Sequence, residues 1–162
     1  MSESRHLPSR LLALPMYLML ALTREGYRHA VRTKVRMRMP QYAVLASLEE
    51  FGPCSQKAIA ACVGFDKSDV TKIINDLETR GLVRRTADAE DNRRHRVMLT
   101  PKGRQELRLG ERELAASMRD FLRGLNVQEY RQLRRLLLQA IGVHDDRFRS
   151  NRSSGGSFPP PS

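Results

Sequence analysis

The sequence lacks the residue patterns that metal and catalytic sites usually require. Its two cysteines, Cys54 and Cys62, have no second cysteine or histidine pair at zinc-binding spacing, and its four histidines are scattered. There is also no glycine-rich loop for phosphates and no nucleophile elbow. We therefore expect no metal site, no cofactor and no enzyme. Redox activity of Cys54 or Cys62 stays open, because thiol reactivity depends on a pKa that a sequence does not reveal.

Long hydrophobic runs are also missing. The longest apolar segment, Leu11 to Leu22, is short of the roughly 20 residues that span a bilayer. Pro15 interrupts it and no A-x-A cleavage site follows, which disfavours a secretory signal. A single small domain cannot cover a segment that is apolar on all sides. The segment therefore predicts a dimer interface, with a second copy of the chain as partner and no membrane.

Acidic residues are outnumbered by basic ones. The 162 residues, enough for one domain with a sizeable core, include 29 Lys and Arg against 18 Asp and Glu. The resulting net charge of +11 favours a polyanionic partner, either nucleic acid or an anionic membrane surface. Charge alone does not indicate a protein that reads sequence.

Two short helices are predicted between Ser55 and Gly81. Ser55 can cap the first helix, which Gly64 ends, and Asp66 can cap the second. Cys62 falls on the apolar face of the first helix, which predicts a small core residue. The second helix has apolar residues at helical spacing, namely Val70, Ile73, Ile74 and Leu77. Two helices joined by a short turn that contains glycine are typical of a helix-turn-helix.

The opposite face of the second helix is polar. Its side chains are Ser68, Lys72, Asn75 and Thr79, with Thr71 at the edge. Asn can pair bidentately with adenine, Lys can reach guanine or phosphate, and Ser and Thr can contact either. The helix with its caps carries three basic and four acidic residues, so its N-terminal half would read the bases, helped by the helix dipole. An ordinary solvated face explains this pattern equally well.

A basic hairpin is predicted after the second helix. Two strand-like runs, 82–86 and 96–100, flank a polar loop, and five Arg and three acids lie between Arg84 and Arg96. A basic hairpin in this place is typical of a wing that reaches a DNA groove or backbone. Asp91 is predicted to pair with Arg93 and aim it, although a surface ion pair contributes little.

These residues resemble the winged helix-turn-helix of MarR-family transcriptional regulators. The segments 66–85 and 88–103 carry the patterns L-E-x-R-G-L-V-x-R, D-x-x-D-x-R and V-x-L-T-x-x-G. The resemblance extends over residues 9–142, with Ala89 where proline is common in the family.

The resemblance implies a mainly α fold of six helices plus a two-stranded wing, with N- and C-terminal dimerisation helices. The predicted organisation is a flexible N-terminus (1–8), an N-terminal dimerisation helix (9–39), the winged helix-turn-helix (40–100), C-terminal dimerisation helices (101–142) and a disordered tail (143–162).

The function implied is that of a sequence-specific transcriptional regulator, a cytoplasmic, ligand-responsive repressor that binds pseudo-palindromic double-stranded DNA as a homodimer. Its effector would be a small aromatic molecule. The predicted DNA-binding residues are Lys67, Ser68, Thr71, Lys72, Asn75, Arg85, Asp91, Arg93, Arg94 and Arg96. Two alternatives remain: a basic architectural or protein-interaction winged helix that binds DNA by charge alone, and a protein of the membrane surface. The operator, the effector and the choice between repressor and activator stay open.

Overall fold

The computed structural model describes residues 7–87 and 95–149. Within those ranges the chain forms seven α-helices, a short 3-10 helix and a two-stranded antiparallel sheet, which confirms the mainly α winged helix-turn-helix. The chain divides into two compact units, residues 1–35 and 36–162. None of the helices in the described ranges is long and apolar enough to cross a membrane.

The first unit contains two helices where the sequence predicted one. α1 (Ser9–Leu12) is separated from α2 (Pro15–Arg32) because Leu14 is extended, the conformation that a residue before proline prefers. Pro15 then takes the first position of α2, where a missing N–H costs nothing. α2 ends at Arg32, short of the predicted residue 39. It buries no residue, and its Met16 and Tyr27 are 77% and 73% exposed.

The second unit contains the remaining elements. They are α3 (Met39–Phe51), α4 (Gln56–Val63), α5 (Lys67–Thr79), β1 (Val83–Ala87), β2 (His95–Leu99), α6 (Pro101–Phe121), α7 (Val127–Gly142) and the 3-10 helix (Asp146–Phe148). α5 packs against α3, α4 and β1. It contributes three fully buried side chains, Val70, Ile74 and Leu77, to the core. The other core members are Met37, Val44, Leu45, Leu48, Ile59, Leu82, Val83, Val97, Leu99 and Leu107.

The caps that the sequence predicted are largely present. The Ser55 side chain accepts from the Ala58 N–H, and Gly64 ends α4 in the left-handed conformation at φ 75°. Asp66 occupies the N-cap position of α5, but its side chain makes no capping hydrogen bond. Asn126 caps α7 through the predicted capping box with Glu129.

The prediction that Cys62 is a core residue is wrong. Its side chain is exposed, and Ile59 is the buried residue of α4. The helix presents a narrow face to the core: Ile59 is fully covered, Ala60 and Val63 are partly buried against the core, and Cys62 lies outside this face.

The wing is an antiparallel pair in which Val83 faces Leu99 and Arg85 faces Val97. Cys54 joins this sheet through an isolated bridge, because its N–H donates to the Val97 carbonyl at 3.2 Å and its carbonyl accepts from the Val97 N–H at 2.8 Å. The bridge fixes the base of the wing to the loop before α4.

Gly103 allows the start of α6 to approach the wing. Its N–H donates to the Thr100 hydroxyl at 2.9 Å, and the same hydroxyl donates to the Gly81 carbonyl at 2.8 Å. A Cβ at position 103 would overlap the Leu82 carbonyl oxygen and lie 2.7 Å from Cδ1 of Leu99. A side chain is therefore excluded here by the backbone of the helix-to-wing connection.

We expect Gly103→Ala to destabilise the fold, although Gly→Ala inside a helix ordinarily stabilises it by about 1 kcal/mol. The overlap with a backbone carbonyl should cost about 1–3 kcal/mol, measured by urea denaturation. Gly124→Ala is the matched control, because a Cβ there meets no atom within 4 Å. Equal stability of the two variants would contradict the steric role.

The segment after α7 is fastened to the turn of the helix-turn-helix. Arg147 Nη1 donates to the Ala61 carbonyl at 3.1 Å, one of the last carbonyls of α4, which lack helical partners. Asp145 holds the guanidinium by accepting from Arg147 Nε at 2.9 Å. This hydrogen bond lowers the pKa of the Asp145 carboxyl below its ordinary value. A Cβ at Gly64 would overlap the Arg147 guanidinium.

The lowered pKa of Asp145 predicts a pH-dependent contribution to stability. Since the folded pKa lies below the unfolded one, the contribution is fully present above about pH 4 and is lost as the pH falls through the folded pKa. We expect Asp145→Asn to lower the urea midpoint at neutral pH, with the difference closing in acid. Asp146→Asn is the control, because it removes the neighbouring carboxylate, which pairs with Arg149. A pH-independent difference would argue against the ion pair as its cause.

Candidate nucleic-acid interface

The polar face of α5 is directed to solvent, as the sequence predicted. Lys67, Ser68, Lys72 and Asn75 are exposed, and Thr71 is half-buried. The Thr71 hydroxyl donates to the Lys67 carbonyl at 2.8 Å, so its oxygen is left to accept from a ligand. This face results from the burial of Val70, Ile74 and Leu77 on the other side of the helix.

Two acidic side chains of α5 are paired with basic or amide side chains, some on α5 or its C-cap and one on α3. Asp76 accepts from Gln41 at 2.7 Å and lies 3.6 Å from Arg80. Asp69 lies 3.5 Å from the Lys72 ammonium. These carboxylates therefore each have a local partner, and the N-terminal half of the helix, at the positive end of its dipole, stays suited to an anionic ligand.

Arg85 of β1 reaches back to α5. Its backbone N–H donates to Glu78 Oε1 at 3.1 Å, and its guanidinium is bound by the other oxygen of the same carboxylate. The second guanidinium nitrogen donates to Asn75 Oδ1 at 2.6 Å. The sequence predicted both Asn75 and Arg85 as DNA-binding residues but not their contact. Glu78 was missed, because no spacing rule links a helix residue to a strand residue seven positions later.

The wing strands lie beside α5, but most of the predicted wing contacts belong to its tip. Asp91, Arg93 and Arg94 lie outside the described residues, so their roles stay predictions. Arg96 is exposed on β2, and Arg84 Nε lies 3.1 Å from the Met98 sulfur.

A charged groove of about 680 Å³ lies between α5 and the segment that leads into α3. It is lined by Arg36, Arg38, Pro40, Gln41, Phe65, Asp69, Lys72, Ile73, Asp76 and Arg80. Arg36 is bound to α6, since its Nε donates to Glu113 Oε1 at 2.8 Å and its N–H to Oε2 at 3.2 Å. That interaction raises the pKa of Arg36. Arg36 therefore fixes the start of α3 in addition to charging the groove.

Cys54 lies at the base of the wing and is half-buried. Burial raises the pKa of the Cys54 thiol, and the nearby Cys62 raises it further. Arg96 acts in the opposite direction, and the raised pKa leaves less of the reactive thiolate at neutral pH.

Comparison with known proteins finds a family model that matches part of the chain. The model of the MarR family matches residues 37–95, which run from the start of α3 into the wing. The chain is 32% identical over 97 residues to YdgJ of Bacillus subtilis, an uncharacterized HTH-type transcriptional regulator. That match covers 60% of this chain and 54% of YdgJ. The chain spans about half the length of the curated relatives that it matches.

Solved structures are similar over almost their full length. The transcriptional repressor CouR, bound to a 23-mer DNA duplex, has a TM-score of 0.74 at 26% identity, covering 86% of this chain and 99% of CouR. The PcaV transcriptional regulator of Streptomyces coelicolor, in complex with its natural ligand, has a TM-score of 0.72 at 26% identity. The PcaV match covers 83% of this chain and 96% of that one.

Proposed function

We propose that this chain is a DNA-binding transcriptional regulator of the MarR family that acts on double-stranded DNA in the cytoplasm. The observation that carries the proposal is the exposed polar face of α5, which stands opposite a fully buried apolar stripe and beside an antiparallel wing. A helix fixed in this way offers hydrogen-bonding side chains to the major groove. The net charge of +11 and a similar repressor solved on a DNA duplex support the proposal.

In the proposed complex, α5 enters the major groove with Ser68, Lys72 and Asn75 toward the base edges. Lys67, at the start of the helix, and Thr71 contact the adjacent phosphates, where the helix dipole favours negative charge. The wing reaches the flanking minor groove through Arg93 and Arg94, which Asp91 helps to aim, and Arg96 holds the backbone. Arg85 acts through its contacts with α5.

The proposed assembly is a homodimer. Its support is the exposure of large apolar side chains along α1 and α2, and separately along α7, where Leu136 and Ile141 are 47% and 38% exposed. Patches of this kind mark interaction surfaces. A two-fold dimer would present two α5 helices to half-sites about 10 base pairs apart, and therefore to a pseudo-palindromic operator.

The proposed role is repression that a small aromatic effector relieves. The support is a similar repressor, CouR, and a similar regulator, PcaV, solved in complex with its natural ligand. An effector can release DNA only if it binds the DNA-free conformation of the protein more tightly than the DNA-bound conformation. Screening of small aromatic acids for release of a bound duplex tests this role.

The alternative is a basic winged helix that binds DNA by charge alone. We expect instead that a duplex selected from a randomised pool binds at least about 10³-fold tighter than a random duplex at physiological salt. A ratio near one, with a steep salt dependence for both duplexes, would favour the alternative.

Lys72→Ala tests the role of α5 in that selectivity. If the Lys72 ammonium contacts a base in the major groove, its loss should weaken binding of the selected duplex by about 1–3 kcal/mol. The affinity is measured by fluorescence anisotropy. Arg131→Ala, an exposed site on α7, removes one positive charge away from α5 and the wing and is the control, with light scattering to show that its assembly is unchanged. Equal losses in the two variants would indicate a contribution of net charge only.

Leu18→Glu tests the homodimer. Leu18 is 46% exposed on α2, and a carboxylate placed in an apolar interface would have to lose its hydration. We expect the variant to show half the wild-type mass by light scattering and to lose affinity for the selected duplex. Phe51→Glu, at the 65% exposed end of α3, is the control. An intact Leu18→Glu dimer would refute this interface.

A further inference from the structure

The contact between Arg85 and Asn75 determines which chemical groups α5 can offer to a base. Asn75 stands on the exposed face of α5, and its Oδ1 accepts from Arg85 Nη2 at 2.6 Å. A guanidinium has donors only, so an amide beside it must turn its oxygen toward the arginine. The Nδ2 amino group is consequently the part of the amide that is directed away from Arg85.

Glu78 holds Arg85 in this position. The carboxylate accepts from the Arg85 backbone N–H at 3.1 Å and also from its guanidinium, so strand and side chain are fixed together. The Arg85 and Glu78 side chains are only 25% and 37% exposed. Charge-assisted hydrogen bonds with two anchoring points are among the stronger ones in proteins, so the arginine is held before DNA arrives.

An asparagine with a free amide can pair bidentately with adenine, because its oxygen accepts from the N6 amino group while its nitrogen donates to N7. Here the guanidinium already takes one lone pair of the amide oxygen, and its positive charge repels a second N–H donor at the same oxygen. The donor group remains available for acceptors. In the major groove guanine offers N7 and O6 and thymine offers O4, whereas the N7 acceptor of adenine stands beside the N6 amino donor, which the positive charge of the guanidinium disfavours.

We propose that Asn75 is a specificity-determining residue that donates to an acceptor of guanine or thymine, and that Arg85 is the positioning residue that imposes this choice. The inference rests on the proposed function, since it needs α5 to lie in the major groove. Residue type alone suggests that Asn75 pairs with adenine, and the proposal replaces that pairing with a contact to guanine or thymine. It also gives Arg85 a role other than a phosphate contact.

The test uses the full-length protein and a duplex that it selects from a randomised pool. In single positions of the half-site, 7-deazaguanine removes N7, 4-thiothymine weakens the O4 acceptor, and purine in place of adenine removes the N6 amino group. Affinities of wild type and Asn75→Ala for each duplex form a double-mutant cycle, which isolates the contact of Asn75. Asn75 is exposed, so the substitution leaves the core untouched.

We expect one guanine or thymine position at which the acceptor change weakens wild-type binding about tenfold but leaves Asn75→Ala binding unchanged. Coupling of Asn75 to an adenine N6 amino group would overturn the inference. So would a wild type that selects a sequence without coupling to Asn75 at any position. A wild type that selects no sequence would overturn the proposed sequence-specific function itself, which distinguishes the two failures.

Arg85→Lys tests the positioning role, because an ammonium can pair with Glu78 but cannot also span to Asn75 as a guanidinium does. We expect base discrimination to fall about tenfold at the Asn75-dependent position and to persist at the others. Arg84→Lys makes the same change one residue away, where the guanidinium lies near Met98, and should retain the preference. A uniform loss at all positions in Arg85→Lys would refute the positioning role.

Glu78→Gln provides a second variant if Arg85→Lys loses stability in a thermal melt. The amide keeps the shape of the carboxylate but removes its charge, so Arg85 is held less firmly. The same position-specific loss is expected, and unchanged discrimination in a folded Glu78→Gln variant would contradict the proposed anchor.

Discussion

The burial of one stripe of α5 is the constraint on which the proposed interface depends. Val70, Ile74 and Leu77 are fully buried between α3, α4 and β1. Complete burial of such a side chain is worth about 1.5–3 kcal/mol, so a rotation of the helix would sacrifice most of that energy. Because side chains advance by a fixed angle along a helix, the buried stripe also determines that Ser68, Lys72 and Asn75 face solvent.

The wing is tied to this helix by both apolar and polar contacts. Leu82, Val83 and Val97 extend the core from α5 into the sheet. Thr100 and Gly103 join the end of β2 to the start of α6. The Leu82 carbonyl packs there against Gly103, which has no side chain. Arg85 completes the connection on the solvent side. These contacts join α5 and the two strands of the wing into one surface.

Charge acts on two scales in this protein. The net charge of +11 attracts a polyanion at long range, whereas α5 with its caps carries more acidic than basic residues. The acidic groups of its C-terminal half are paired, Asp76 with Gln41 and Arg80, and Glu78 with Arg85. In the proposed complex, long-range attraction and local selectivity would come from different residues, and the selectivity would depend on hydrogen-bond direction rather than on the number of charges.

The sequence by itself determined the features that arise from short-range periodicity and from hydrogen bonds between near neighbours. These include the phase of α5, the caps at Ser55 and Asn126, and the two wing strands to within one residue. Tertiary structure alone decided that Cys62 is exposed and that Arg147 caps α4, a contact that joins residues far apart in the chain. It also decided that Arg85 binds Asn75 and Glu78. The physical reason is that the partner of a long side chain depends on which elements pack together, and residue spacing carries no record of that.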